Sequence, residues 1–216
     1  VWGYRETDPL GGHDPYSSSK ACAELVARSF RESYFSTQAN GERLIGVASA
    51  RAGNVIGGGD WTPRQLIPDT ILALGEGRPV MLRHPESIRP WQHVLDCLSG
   101  YLTLAECLYK DTSRYSGDWN FGPSDTDMQP VSNVVEVLAG HWGLGTAWVR
   151  DPDSHPREEL ELRLNSQKAN RELRWTPRLS LDQALAWTAD WYRRHAEGGS
   201  ARELCVEQIE RYMRKE

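Results

Sequence analysis

No G-x-G-x-x-G run occurs in this 216-residue chain, and no G-K-[ST] follows any of its glycines. The dinucleotide fingerprint and the P-loop are therefore both missing, and nothing ahead of Tyr16 supplies a strand–turn–helix for a nucleotide pyrophosphate. Cysteine is sparse. Cys22, Cys97, Cys107 and Cys205 form no C-x-x-C pair and no metal-ligand spacing, which points to reduced thiols in a cytoplasmic protein. His155, Glu158 and Glu159 share a stretch, but H-x-x-E-E matches no standard ligand set, so no metal is expected. Basic residues are outnumbered, 25 Lys and Arg against 30 Asp and Glu, and a net charge of -5 gives no footprint for nucleic acid. No apolar run approaches the ~20 residues of a membrane helix, and no signal-peptide pattern opens the chain, so no membrane partner is expected. Repeats, low-complexity tracts and linkers are lacking too. What remains is an ordinary globular composition, enough for one sizeable domain or one and a half.

What the chain does have begins with Tyr16 and Lys20, in Asp14-Pro15-Tyr16-Ser17-Ser18-Ser19-Lys20. Pro15 suits a first helical turn, and i, i+4 spacing puts both side chains on one helix face. A fixed ammonium beside a phenol favours the phenolate, so such a tyrosine can remove a hydroxyl proton, the chemistry of alcohol oxidation by hydride loss. Alone, a Y-x-x-x-K pair is no more than two exposed side chains on a solvated helix. The nine tryptophans sit mostly in helix-like stretches and read as core.

Periodicity predicts a helix from about Pro15 to Phe35, broken by Asn40-Gly41-Glu42, then a buried strand over Leu44 to Ala50 and a glycine-rich loop from Arg51 to Trp61. Further helices are predicted at Leu66 to Leu74, Val94 to Tyr109, Val131 to Leu138, Ser166 to Leu173, Leu181 to Arg194 and Ala201 to Lys215. Short strands are predicted at Pro79 to Arg83, Trp119 to Phe121 and Ala147 to Val149. This alternation is an α/β protein. Gly57-Gly58-Gly59 could cradle a phosphate, but Thr62 stands where a fingerprint needs glycine, and by itself the run reads as a flexible turn. His93 and Asp96 could be a proton shuttle, but their residue types favour a structural bond at a helix start. Scattered arginines are solvated faces by default, though arginine is the favoured partner of a diphosphate.

Taken in order, the motifs resemble the nucleotide-sugar branch of the extended short-chain dehydrogenase/reductase superfamily. Tyr16-x-x-x-Lys20 resembles its catalytic helix, and Arg51-Ala52-Gly53-Asn54-Val55-Ile56-Gly57 its R-x-x-N-V-Y-G loop. Leu66-Ile67-Pro68, Arg89-Pro90-Trp91-Gln92-His93-Val94-Leu95-Asp96, Asn120-Phe121-Gly122 and Leu173-Arg174-Trp175-Thr176-Pro177 resemble later segments. Trp2 to Tyr16, the loop Gly57 to Trp61 and the variant Arg89 to His93 are similar to dehydratases of CDP-linked sugars within that branch.

The resemblance implies the C-terminal part of a Rossmann-type doubly wound parallel sheet plus a smaller mixed α/β substrate-binding domain. Residues 1–60 would finish the NAD-binding domain. Residues 61–216 would be mainly the nucleotide-sugar-binding domain, with a short return near 90–122. It implies NAD as cofactor and a CDP-sugar as substrate. Tyr16 would take the sugar 4-hydroxyl proton as hydride leaves carbon 4, water would be lost across carbons 5 and 6, and hydride would return to carbon 6. Lys20 would lower the tyrosine pKa and bond the nicotinamide ribose, with Arg51 also on the cofactor side. Asn54, Arg89, Asn120 and His155 match positions that hold the nucleotide diphosphate. Leu66 and Pro68 belong to the substrate segment, and Arg64 and Arg83 are further candidates for the same end. A homodimer through the Tyr16 helix is implied as well. Val1-Trp2-Gly3-Tyr4 reads like mid-domain sequence, so the chain is expected to be an N-terminally truncated piece, incomplete for catalysis. An epimerase or reductase of the same superfamily, and a non-catalytic nucleotide-sugar-binding remnant, stay open as alternatives.

Overall fold

A computed structural model describes residues 2–35, 45–145, 148–153 and 159–214. His155, with Arg157, Glu158 and the helix breaker at 40–42, lies outside the described residues.

The first helix, α1, spans Pro15–Phe30 and widens into a π-helical turn over Arg31–Phe35, ending where periodicity placed it. Its start is fixed by Asp14, whose carboxylate accepts from the N–H groups of Tyr16 and Ser17 at 2.9 and 3.0 Å. Strand β1 (Ala48–Ala52) begins later than its apolar run, because its partner sets its register. Strand β5 (Gly117–Phe121) pairs with it in parallel, Ala48 opposite Gly117 and Ala52 opposite Phe121.

The predicted loop at Arg51 to Trp61 is therefore strand for its first half. After one bend at Gly53 the chain re-enters a sheet as β2 (Asn54–Ile56). The bend needs glycine because a Cβ there would sit 2.3 Å from the carbonyl oxygen of Pro90. β2 pairs in parallel with β4 (Ile88–His93), which pairs antiparallel with β6 (Met128–Pro130). A third sheet joins β3 (Val80–Leu82) to β7 (Trp148–Arg150) in parallel.

The remaining helices are α2 (Leu66–Gly75), α3 (Val94–Lys110), α4 (Thr112–Tyr115), α5 (Val131–Trp142), α6 (Leu181–Ala196) and α7 (Ala201–Arg214). The short helix predicted at Ser166 to Leu173 ends as a π-helical turn over Ala169–Leu173, closed by Arg174 in the left-handed region. Ser180 and Gln183 cap α6 reciprocally.

The largest core lies between the β2–β4–β6 sheet and helices α2, α5 and α6, around Ile56, Trp91, Leu138, Leu185 and Trp191. A second packs Leu104 of α3 and Trp175 against Trp119 and Phe121 of β5. Burying a phenylalanine such as Phe121 stabilises by up to about 3 kcal/mol. Trp91, Trp119, Trp175, Trp187 and Trp191 are buried, while Trp2 and Trp61 are exposed. Asp96 joins three elements. Its buried carboxylate accepts from the Arg178 and Leu179 N–H groups at 2.7 and 3.3 Å and from the Tyr212 hydroxyl at 2.7 Å. His93 caps α3 through Nδ1, which accepts from the Leu95 N–H at 3.2 Å. Both residues are structural, as their types favoured. Among the described residues no helix is long and apolar enough to cross a membrane.

Candidate active site

Tyr16 and Lys20 stand in the first turns of α1, side by side, with the Lys20 ammonium 5.6 Å from the centre of the Tyr16 ring. The ring is 72% exposed and open to a ligand. No side chain of α1 is buried, so packing contributes little to the helix's placement. Charge does the fixing. Arg51, at the end of β1, grips Glu24 of α1 with two bonds of 2.9 and 3.0 Å. Arg31 reaches Asp118 of β5 at 3.2 Å, and Arg51 approaches the same carboxylate at 3.5 Å. The hydrogen bonds from Arg51 hold the Glu24 carboxyl below its ordinary value, and the Arg51 guanidinium is held above its own by the same contact. The structure thus turns Arg51 toward α1, where it supports the Tyr16 helix from below.

A cleft of about 230 Å³ opens where β2 runs into the glycine loop, and Asn54, Leu66 and Pro68 share its wall with Gly57, Asp60 and Trp91. Three of the sequence candidates thus meet in one place. Trp91 is held there by its indole N–H, which donates to the Gln129 carbonyl at 3.0 Å. The glycine run is a turn, as read from the sequence, and α6 packs against it. Trp191 of α6 lies flush against Gly58, where a Cβ would come 2.1 Å from its Cγ, and the Tyr192 hydroxyl donates to the Asp60 carbonyl. Beyond the loop the chain turns sharply. The Asp60 carboxylate accepts from the Thr62 N–H at 2.9 Å, and Arg64 takes a left-handed φ of 64°.

The other candidates scatter. Arg64 and Arg83 are exposed and stand outside the cleft wall. Arg89, half-buried on β4, donates to the Ile88 carbonyl at 2.9 Å. Asn120 is 1% exposed. Its amide donates to the carbonyls of Tyr4 at 3.1 Å and Asn165 at 3.4 Å, and its N–H to Glu6 at 3.0 Å, so it ties the chain's first residues to the sheet. Sequence reasoning missed Asp60, Gln65 and Trp91 as cleft residues and Trp191 and Tyr192 as their support. The available signal was the glycine run itself, since consecutive glycines mark close approach as well as freedom. A larger open groove of about 870 Å³ lies between α6 and α7, lined by Trp187, Asp190, Glu207 and Arg211 among others, and contains no sequence candidate.

A helix-borne Tyr/Lys pair tied by charge to a parallel strand pair, together with a cleft formed where a second sheet begins, fits a Rossmann-type α/β protein of the nucleotide-sugar dehydratase class. The family model described as GDP-mannose 4,6 dehydratase matches residues 2–188, and the chain belongs to that family. It is 45% identical, over 99% of its length, to the CDP-glucose 4,6-dehydratase of Salmonella typhimurium, of which it spans 59%. To the dTDP-glucose 4,6-dehydratase of Streptomyces griseus it is 28% identical over 89% of its length, spanning 54% of that protein. Among solved structures, the dTDP-glucose 4,6-dehydratase of Bacillus anthracis in complex with NAD superposes with a TM-score of 0.73 at 25% identity, covering 91% of this chain and 58% of that one.

Proposed function

We propose that this chain carries the proton-transfer pair and the sugar-nucleotide cleft of an NAD-dependent CDP-glucose 4,6-dehydratase, a lyase of deoxysugar biosynthesis. The observation that carries the reading is the 45% identity, over 99% of this chain, to the Salmonella typhimurium CDP-glucose 4,6-dehydratase.

The residues present fit the reacting end of NAD. Tyr16 is open on one face of α1, and Lys20 beside it offers ammonium donors to ribose hydroxyls. A dinucleotide pyrophosphate needs a glycine-rich turn at a helix N-terminus, which these 216 residues do not contain. Turnover therefore calls for further length of the kind the relatives have. When bound, NAD supplies reversible storage of a hydride, so it is regenerated within each turnover.

The chain's own residues do the rest. Tyr16 takes the proton of the sugar 4-hydroxyl, and Lys20 beside it would hold the nicotinamide ribose. Arg51 serves the cofactor side by fixing α1 through Glu24. Asn54, Leu66 and Pro68 receive the nucleotide in the cleft. Arg89, Arg64, Arg83, Asn120 and His155 are candidates for the diphosphate end on their sequence positions alone, since none of them lines the cleft among the described residues. We further propose a homodimer through α1, whose Leu25, Val26 and Phe30 are exposed, and a cytoplasmic location, where the four free thiols stay reduced.

The test has two parts. Calorimetry should show that the chain binds CDP. Joined to a glycine-rich NAD-binding segment, it should convert CDP-glucose to the 4-keto-6-deoxy product, whereas the 216 residues alone with added NAD should not. A joined protein that returned only a 4-epimer, or a chain that ignored CDP, would overturn the reading.

A further inference from the structure

The cleft's most irregular wall is the loop from Gly57 to Trp61. It carries three consecutive glycines, one of them, Gly59, at a φ of +86°. A run of this kind has little stiffness of its own. Yet two of its residues, Gly57 and Asp60, face the cleft that also holds Asn54 and Leu66.

Its stiffness comes from α6. Trp191 is 2% exposed and its ring fills the space a side chain at Gly58 would occupy. Tyr192 is 1% exposed and donates its hydroxyl proton to the main-chain carbonyl of Asp60. Burial pushes the Tyr192 phenol up to about 12, so it stays a donor across the working pH range. Trp61, at the end of the loop, stands edge-on to Tyr192 with ring centres 5.1 Å apart and planes at 87°. Trp191 and Tyr192 are themselves edge to face at 5.2 Å. Neither ring forms part of the cleft wall, so any effect they have on a ligand passes through the loop.

We infer that Trp191 and Tyr192 are positioning residues for the nucleotide cleft: from behind, α6 sets the loop Gly57–Trp61 at the height and angle that a bound nucleotide requires. The inference rests on the nucleotide-sugar reading of the cleft for its ligand, and on the loop contacts alone for its mechanics. A hydrogen bond and a close-packed ring cost the cleft no space, and they confine the loop before the ligand arrives, so less ordering remains to be done on binding.

The test uses the whole chain, CDP as the probe, and two readouts. Tyr192→Phe removes a single hydroxyl, and Asp60 is exposed, so water can satisfy its carbonyl and the fold should survive with nearly unchanged melting temperature. Amide exchange in the loop should then quicken tenfold or more, and the CDP dissociation constant should rise about 3- to 10-fold, the worth of one net hydrogen bond. Trp191→Phe should act in the same direction, since the smaller ring leaves Gly58 unsupported. Asn54→Ala should weaken CDP while leaving loop exchange as in the parent chain, which separates lost contact from lost positioning. Unchanged loop exchange in Tyr192→Phe would overturn the inference, as would faster exchange with unchanged CDP affinity. Failure of the parent chain to bind CDP would sink the dehydratase reading and overturn the ligand named here.

Discussion

Tyr16 is largely exposed and His93 is buried, and the two illustrate opposite uses of a polar side chain. In an enzyme assembled around this chain, Tyr16→Phe should lower turnover by roughly 10²–10⁴, the usual worth of a positioned proton-transfer group, with little change in substrate affinity because the ring remains. Steady-state kinetics would check it, and near-normal turnover would transfer the role to another group. His93 is 1% exposed, capping α3 on one side and meeting the Trp187 ring edge-on at 5.7 Å on another. Desolvation lowers its pKa from 6.5 to about 4. The native state therefore refuses a proton that the unfolded chain accepts between those values, and stability falls as pH drops through that window, by about 3 kcal/mol in all. His93→Asn keeps a capping side chain and removes the titration, so denaturant unfolding at neutral and acid pH should show a smaller loss in the variant. The i, i+4 relation of Tyr16 and Lys20 was legible because helical spacing is local. The burial of Asn120 was not, because its partners Tyr4 and Asn165 are remote in sequence.

At the scale of elements, α1 is held by charge where most helices are held by a buried stripe. Glu24→Gln should quicken hydrogen exchange along α1 and, in a complete enzyme, lower kcat more than it changes KM for the nucleotide sugar. The sign of the pH effect follows from the depressed Glu24 pKa. The ion pair is fully formed above the ordinary value near 4.5 and is lost as pH falls through the lower value of the folded state. Acid should therefore loosen α1 more in the parent chain than in the variant. Equal exchange in the two chains at neutral pH would show that other contacts hold the helix. Most helices were readable from their 3.6-residue period. Strands β2, β4 and β6 were not. They are short, β2 follows the Gly53 bend, and β4 carries Pro90 in its interior, which argues against a strand until the partners on both sides are known.

Across the whole molecule, every parallel pair joins strands far apart along the chain: Ala48 meets Gly117, Asn54 meets Trp91, and Val80 meets Trp148. The helices, by contrast, close their bonds within a few residues. Contacts of long sequence separation have to wait for loop closure, whereas a helix can nucleate in about a microsecond. The chain should consequently refold in two stages, with far-ultraviolet circular dichroism recovering early and the near-ultraviolet signal of Trp119, which sits in β5, returning on the order of milliseconds to seconds. Recovery of both signals in one fast phase would contradict this. During the interval between the stages, α3 and α6 would exist as formed helices without the strands that cover them, with Leu104 and Leu185 open to any neighbouring molecule. The order in which its strands find each other thus makes the yield of folded protein depend on concentration, falling as chains meet one another before their sheets close.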